Sequence, residues 1–306
     1  MNDLNTNNDQ YDNLLWPLLN WLQAGKKVAI ATLISISGGS PRPVGAQLLV
    51  TENDCIGAIS SGCVEADIIL AAREVIASEQ VRQQQYGAGS PYIDLTLPCG
   101  SSISVVLSLA PSLEQVAMLC DHHTMRREAR LTLDITSGQW LEYNDQHAAD
   151  EKYFICRYQV AKRLVVIGKG AILAHVEQIA ASSGLEVICY SPDYTVDSAN
   201  KVAMANTQDF NPVALDSATA VLLLFHDHDW EAPVLKQILV TDVCYIGAIG
   251  SLNSHYHRVN ELRASGFTDT QCAKITSPAG LIKGTRHPQH IALSMVAEAL
   301  QKLCSV

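Results

Sequence analysis

Residues 163–180 read RLVVIGKGAILAHVEQIA, and this stretch decides the architecture of the carboxy-terminal half. Arg163 to Ile167 reads as a strand, apolar from Leu164 on. Gly168-Lys169-Gly170 is a turn, and Ile172, Val176 and Ile179 then recur at helical spacing. An apolar strand passing through glycines into an amphipathic helix opens a βαβ unit, with a parallel sheet covered on both faces. The rhythm continues downstream. Strands are expected at 186–190, 220–225 and 244–249, and helices at 230–240, near 254–265 and at 288–303. Residues 151–306 are therefore expected to form a Rossmann-like parallel-sheet domain.

Upstream the rhythm is mixed. A short helix at 14–23 ends at Gly25, a C-cap position that favours glycine. Strands follow at 27–36, 47–50 and 55–60, with the loop SGGSPRPVG at 37–45. Val64, Ile68, Ala71 and Val75 place a helix over 63–78. Further strands are expected near 81–86, 92–97 and 102–109, then a helix near 112–122 and a hairpin at Ser137-Gly138. This reads as a mixed α+β domain over 12–150, with residues 1–11 as a tail and the polar stretch 147–152 as a linker. The fold class is α/β in two domains.

Composition narrows the function. The 306 residues are 48% hydrophobic and 17% charged, a globular balance. Lys plus Arg is 21 and Asp plus Glu is 31, giving a net charge of −10, which disfavours nucleic acid and anionic lipid. No apolar run is long enough to span a membrane, and the polar start does not read as a secretory signal. Nine cysteines, an odd number with no C-x-x-C pair, point to reduced thiols in the cytoplasm.

Six segments carry chemistry. Gly168-Lys169-Gly170 allows a sharp turn before a helix whose N-terminus favours phosphate, and Asp193 lies where an acid can accept from ribose hydroxyls. Leu173 stands where a dinucleotide fingerprint has its third glycine, so a tight turn with no nucleotide is the alternative. Gly250-Ser251 repeats the arrangement after a later strand, with a plain Ser N-cap as its alternative. His226 and His228 alternate with Asp227 and Asp229. Imidazole and carboxylate suit a metal, but a substrate-facing role or a polar strand exit fits the spacing as well. In the 37–45 loop, two prolines fix the backbone on either side of Arg42, with Ser40 beside it. A rigidly held guanidinium suits a bidentate grip on phosphate. Gly62-Cys63-Val64-Glu65 puts a thiol at a helix start, where the dipole favours thiolate. Cys99-Gly100 puts another in a glycine turn. Cys156, Cys189 and Cys244 lie in apolar strands and read as core.

The runs GGSPRPVGAQLLV and GAISSGCVEADI, the Cys99-Gly100 turn, the GKG turn, HDHD, YIGAIGS and the stretch from Pro278 to Glu298 occur in the order seen in the XdhC/CoxI family. The chain resembles these xanthine dehydrogenase accessory factors from about 14 to 300. It differs at Ser61, at Ser101 and at Ala171-Ile172-Leu173, where the family has glycines and a His-Val-Ala run.

The resemblance implies an XdhC/CoxI domain followed by a Rossmann-like domain. It also implies a cytoplasmic, dimeric chaperone that binds molybdenum cofactor (molybdopterin or its dinucleotide form). Such a chaperone protects the cofactor during sulfuration and delivers it to the apo-form of a molybdenum hydroxylase such as xanthine dehydrogenase, working with a cysteine desulfurase. On this basis Cys63 and Cys99 are expected at the molybdenum end, with Ser40, Arg42, Gly62, Glu65 and Gly100 around the ligand. Gly168, Gly170, Asp193, His226, His228, Gly250 and Ser251 are expected to serve the phosphate or nucleotide part. Two alternatives remain. One is an NAD(P)-dependent oxidoreductase using His226 or His228. The other is a scaffold that bridges desulfurase and apo-enzyme without holding cofactor.

Overall fold

The computed structural model describes residues 14–87, 101–225 and 228–305, with the backbone alone at His228. The expected strand at 92–97 lies outside them. The chain divides into two units, the first ending at Val160 and the second beginning at Ala161.

The first unit contains α1 (Leu15–Gln23), β1 (Ala29–Ser37), β2 (Gln47–Val50), β3 (Cys55–Gly57), α2 (Glu65–Ser78), β4 (Arg82–Gly87), β5 (Ser102–Leu109), α3 (Leu113–Thr124), β6 (Ala129–Asp134), β7 (Trp140–Glu142) and β8 (Tyr153–Tyr158). Strands β3-β2-β1-β5-β4 form an antiparallel sheet, and β7-β6-β8 a smaller one. Side chains alternate across a strand, so each strand of the larger sheet serves two cores. Ala29, Ala31, Leu33, Leu48, Val105 and Leu107 pack with α2. Ile30, Leu49 and Val106 face the opposite way, onto α1, α3 and the smaller sheet.

The second unit contains β9 (Arg163–Gly168), α4 (Ala171–Ala181), β10 (Glu186–Ser191), β11 (Lys201–Ala203), β12 (Thr219–Leu224), α5 (His228–Ile238), β13 (Tyr245–Ala248), α6 (Leu252–Ala264), α7 (Asp269–Cys272), β14 (Ile275–Thr276) and α8 (Pro288–Leu303). All six strands are parallel, in the order β11-β10-β9-β12-β13-β14. Strands β9, β12 and β13 are buried throughout, because helices cover both faces. Helices α4 and α8 share one core with the sheet, α5 and α6 the other. The sheet starts at β9, grows outward to β11, then returns to β12 on the other side. The gap between the ends of β9 and β12 is thus the topological switch point, where open α/β sheets bind ligands.

The unit boundary falls ten residues beyond the expected 150/151 division. The polar stretch 147–152 is no linker, because the strand that follows it, β8, pairs with β6 from Ala129↔Tyr158 to Asp134↔Tyr153. Helix α2 begins at Glu65, two residues after the expected start, leaving Cys63 in the preceding segment.

Candidate functional site

In the first unit the registers bring two of the candidate loops to one edge of the larger sheet. Ser37 at the end of β1 pairs with Ser102 at the start of β5, and Gly87 at the end of β4 pairs with the same residue. Strand β2 starts and β3 ends toward that edge, with Leu48 opposite Gly57. The 38–46 loop and the 58–64 segment both leave the sheet there. Ser40, Arg42, Gly62 and Cys63 therefore stand on segments that leave the same end of the sheet.

Gly38 has φ +87°, and a Cβ on it would lie 3.1 Å from that of Ser101. Only glycine lets the 38–45 loop come so near the residue that follows Cys99-Gly100. Arg42 is half-buried, and its backbone N–H donates to Ser40 Oγ at 3.3 Å. Cys63 is exposed. Gly62 has φ +100° with open space where a Cβ would stand.

Glu65 does not face outward as a ligand-orienting acid. Its Oε1 accepts from the Ser60 N–H at 2.6 Å and the Ile59 N–H at 3.3 Å. Its Oε2 accepts from Ser60 Oγ at 2.6 Å and the Val64 N–H at 3.3 Å. Ser60 Oγ in turn accepts from the Cys63 N–H at 3.1 Å. Burial alone would raise the Glu65 pKa, but bonds from the Ser60 hydroxyl and the surrounding N–H groups hold it below the ordinary carboxylate value. Glu65 is thus the anchor of the segment that presents Cys63. Ser60, inside the GAISSGCVEADI run but not expected as a site residue, is the other half of that anchor.

The remaining thiols divide by burial. Cys120, Cys156, Cys189 and Cys272 are buried, Cys244 is partly covered, and Cys55 and Cys304 are exposed. Burial pushes the Cys189 thiol up to about 12 and Cys120 up to about 11, which keeps both protonated and unreactive.

In the second unit three candidate segments lie at the carboxyl edge of the parallel sheet. Gly168 ends β9 opposite Leu224, and a Cβ there would fall 2.5 Å from the Leu224 Cβ, so this glycine sets the strand spacing. Gly170, with φ +83°, precedes α4, and its N–H donates to Asp193 Oδ2 at 2.7 Å. Asp193, expected to accept from a ribose, closes the glycine turn instead. Leu173 is buried in the core under α4. Gly250 has φ +128°, and Ser251 caps α6 by accepting from the Ser254 N–H at 3.1 Å.

Two further groups, neither of them expected as a site residue, brace this edge. Arg258 on α6 is buried with Glu231 of α5, Nη2 to Oε1 2.8 Å. Glu298 on α8 accepts from Tyr245 Oη at 2.7 Å and from the Gly280 N–H. The one signal for Arg258 in the sequence is a charge four residues before the buried Leu262, on the helix's inner stripe.

Cys99, Gly100 and His226 lie outside the described residues, as does the His228 side chain. Helix α5 starts at His228, so Asp229 sits in its first turn. Among the described residues no group of three His, Cys, Asp or Glu could hold a metal ion, and no helix is long and apolar enough to cross a membrane. A cleft of about 420 Å³ lined by Val81, Ser108, Pro111, Gly138 and Trp140 contains none of the candidate residues.

These features define a two-unit protein: an antiparallel sheet presenting the exposed Cys63 thiol at its edge, and a Rossmann-ordered unit with two glycine-led helix starts. Comparison with known sequences places it more narrowly. The family model described as "XdhC and CoxI family" matches residues 21–87, and that described as "XdhC Rossmann domain" matches 164–299. In both units, then, the chain is similar to the XdhC and CoxI family. It is 29% identical over 293 residues to the molybdenum cofactor insertion chaperone PaoD of Escherichia coli (strain K12), covering 95% of this chain and 88% of that protein. It is 24% identical over 323 residues to a probable xanthine dehydrogenase subunit of Bacillus subtilis (strain 168), covering 92% of this chain and 94% of that one. A crystal structure described as a xanthine dehydrogenase from Bacillus halodurans shares the fold, with a TM-score of 0.74 at 22% identity and coverage of 95% and 96%.

Proposed function

We propose that this protein is a chaperone for molybdenum cofactor. It binds the cofactor, shelters it while its terminal sulfido ligand is installed, and passes it to a molybdenum hydroxylase. The observation that carries this reading is the exposed Cys63. It stands on a segment locked by Glu65, at the same sheet edge as Arg42, in a chain similar along 95% of its length to a molybdenum cofactor insertion chaperone.

The cofactor is cargo here, and its chemistry matches the donors present. Its metal end is soft, which suits a thiolate, and its phosphate end is anionic, which suits a guanidinium and helix N-termini. Cys63 is the proposed contact for the metal end, joined by Cys99. Arg42 and Ser40 are the proposed contacts for an anionic or polar group, with Gly62 leaving room for close approach and Gly100 proposed beside the ligand. In the second unit, the helix starts at Gly170 and Ser251 are proposed to hold the phosphate or nucleotide part, with His226 and His228 as further proposed contacts for it. Glu65 and Asp193 act by shaping the segments they close.

The proposed setting is the cytoplasm, where thiols stay reduced. The proposed partners are the apo-hydroxylase, a cysteine desulfurase and a second copy of the chain. The test is activation of the hydroxylase in cells carrying Cys63→Ala or Cys99→Ala. Loss of activation with folded protein supports the thiol assignment. Wild-type activation by both single variants and by the double variant overturns it.

A further inference from the structure

The Glu231–Arg258 pair belongs to no motif, yet it lies directly behind one. Both side chains are buried, 3% and 4% exposed, with Nη2 and Oε1 2.8 Å apart. The same Nη2 donates to the Ile249 carbonyl at 3.0 Å, and Nη1 donates to Ser277 Oγ at 3.0 Å. The buried Nε has no acceptor among the described residues. One guanidinium thus ties α5, the end of β13 and the segment after β14 together.

A peptide unit is planar and trans, so its C=O and N–H point opposite ways. With the Ile249 carbonyl turned onto Arg258, the Gly250 N–H faces away from it, at the start of α6. A Cβ on Gly250 would lie 3.7 Å from Arg258 Nη2, so the cation backs immediately onto this turn. A buried ion pair carries a desolvation penalty that an apolar pair of similar volume avoids, so stability alone is a weak reason for it.

We propose that Arg258 is a positioning residue for an anion at the Gly250–Ser251 helix start, and that Glu231 sets how strongly that start attracts phosphate. This rests on the reading that the second unit holds the phosphate or nucleotide part of the cargo. The N-terminus of α6 supplies a partial positive charge. Arg258 adds a full charge behind it, and Glu231 offsets most of that charge at the distance of a ligand. The pair fixes the turn's geometry while keeping the site weak enough to release what it holds, as a carrier requires.

The test is calorimetric titration of the full-length protein with inorganic pyrophosphate and with ADP at one low salt concentration. Glu231→Gln keeps the size and shape of the side chain and removes the opposing charge. It is expected to tighten pyrophosphate binding roughly tenfold, the order of one unscreened charge several ångströms away. Arg258→Lys keeps the charge but loses the fork that holds the Ile249 carbonyl, and is expected to weaken binding severalfold. Arg258→Met is expected to weaken it most. Because Arg258→Met strands a buried carboxylate, the Glu231→Gln/Arg258→Met double variant is measured beside it, with melting curves for each. A purely structural tie would shift affinity in the same direction for Glu231→Gln and Arg258→Met. Unchanged or weaker binding in Glu231→Gln overturns the inference while the wild type still binds. If the folded wild type binds neither probe, the phosphate-holding reading fails and the inference falls with it.

Discussion

Glu65→Gln tests the local logic of the Cys63 segment, and its cost can be worked from the hydrogen bonds. The carboxylate accepts two bonds at 2.6 Å, from the Ser60 N–H and Oγ, and two at 3.3 Å, from Ile59 and Val64. Gln retains one oxygen for the Ser60 and Ile59 N–H groups. Its NH2 cannot accept from Val64, and Ser60 Oγ must reverse its role while still receiving the Cys63 N–H. The loss is about one charge-assisted hydrogen bond plus one weakened neutral one, roughly 2 kcal/mol. For a unit of this size that lowers Tm by about 4–8 °C.

The pH dependence has a definite sign. The folded-state pKa of Glu65 is depressed, so its contribution is present above the ordinary carboxylate pKa of the unfolded chain. It is lost as pH falls through the lower folded value. The gap in Tm between wild type and Glu65→Gln should therefore be full at pH 7 and close progressively in acid. Calorimetric scans from pH 7 down to pH 3 measure it. A gap below about 0.5 kcal/mol at pH 7, the ordinary range for a surface substitution, refutes the anchoring role. A gap that does not narrow in acid refutes its electrostatic origin.

Three further outcomes follow from the same structure. Gly168→Ala places a Cβ 2.5 Å from that of Leu224, between two buried strands, and is expected to cost about 1–3 kcal/mol by urea unfolding. Asp134, buried at the β6 turn, would be raised by burial but is held at about 2 by Lys152 and the N–H groups of Thr136 and Ser137. Asp134→Asn should then remove roughly 2 kcal/mol at pH 7 and progressively less between about pH 5 and pH 1, seen in acid-unfolding curves. Glu298→Ala leaves the Tyr245 hydroxyl and the Gly280 N–H without their shared acceptor, and is expected to cost about 2–3 kcal/mol, read as a shift in urea midpoint at constant slope.

The second unit is legible in the sequence because local period and environment agree there. The strand at 163–168 is apolar from Leu164 to Ile167 because both faces are covered, and Pro288 opens α8 at a position where its missing N–H costs nothing. The loops of the first unit are legible as loops, since Gly38 and Gly62 occupy left-handed backbone that glycine alone adopts cheaply. Pairing partners are not legible. Nothing near Tyr153–Tyr158 says that its mate is Ala129–Asp134, and so the expected unit boundary falls ten residues early. Charged side chains mislead for a related reason. Glu65 and Asp193 look like ligands in a string of residues. Only folding shows that the nearest N–H groups, on Ser60 and Gly170, claim them first. Arg258 and Glu231 are 27 residues apart in sequence, and only the packing of α5 against α6 makes them a pair.

The most direct measurement of the central claim is the pterin content of the protein as isolated from cofactor-producing cells. The pterin is released by denaturation and quantified by the fluorescence of its oxidised form. The account predicts a substoichiometric to equimolar pterin signal in the wild type and its marked loss in Cys63→Ala with an unchanged melting curve. A pterin-free wild type, or a Cys63→Ala protein carrying as much pterin as the wild type, would contradict it.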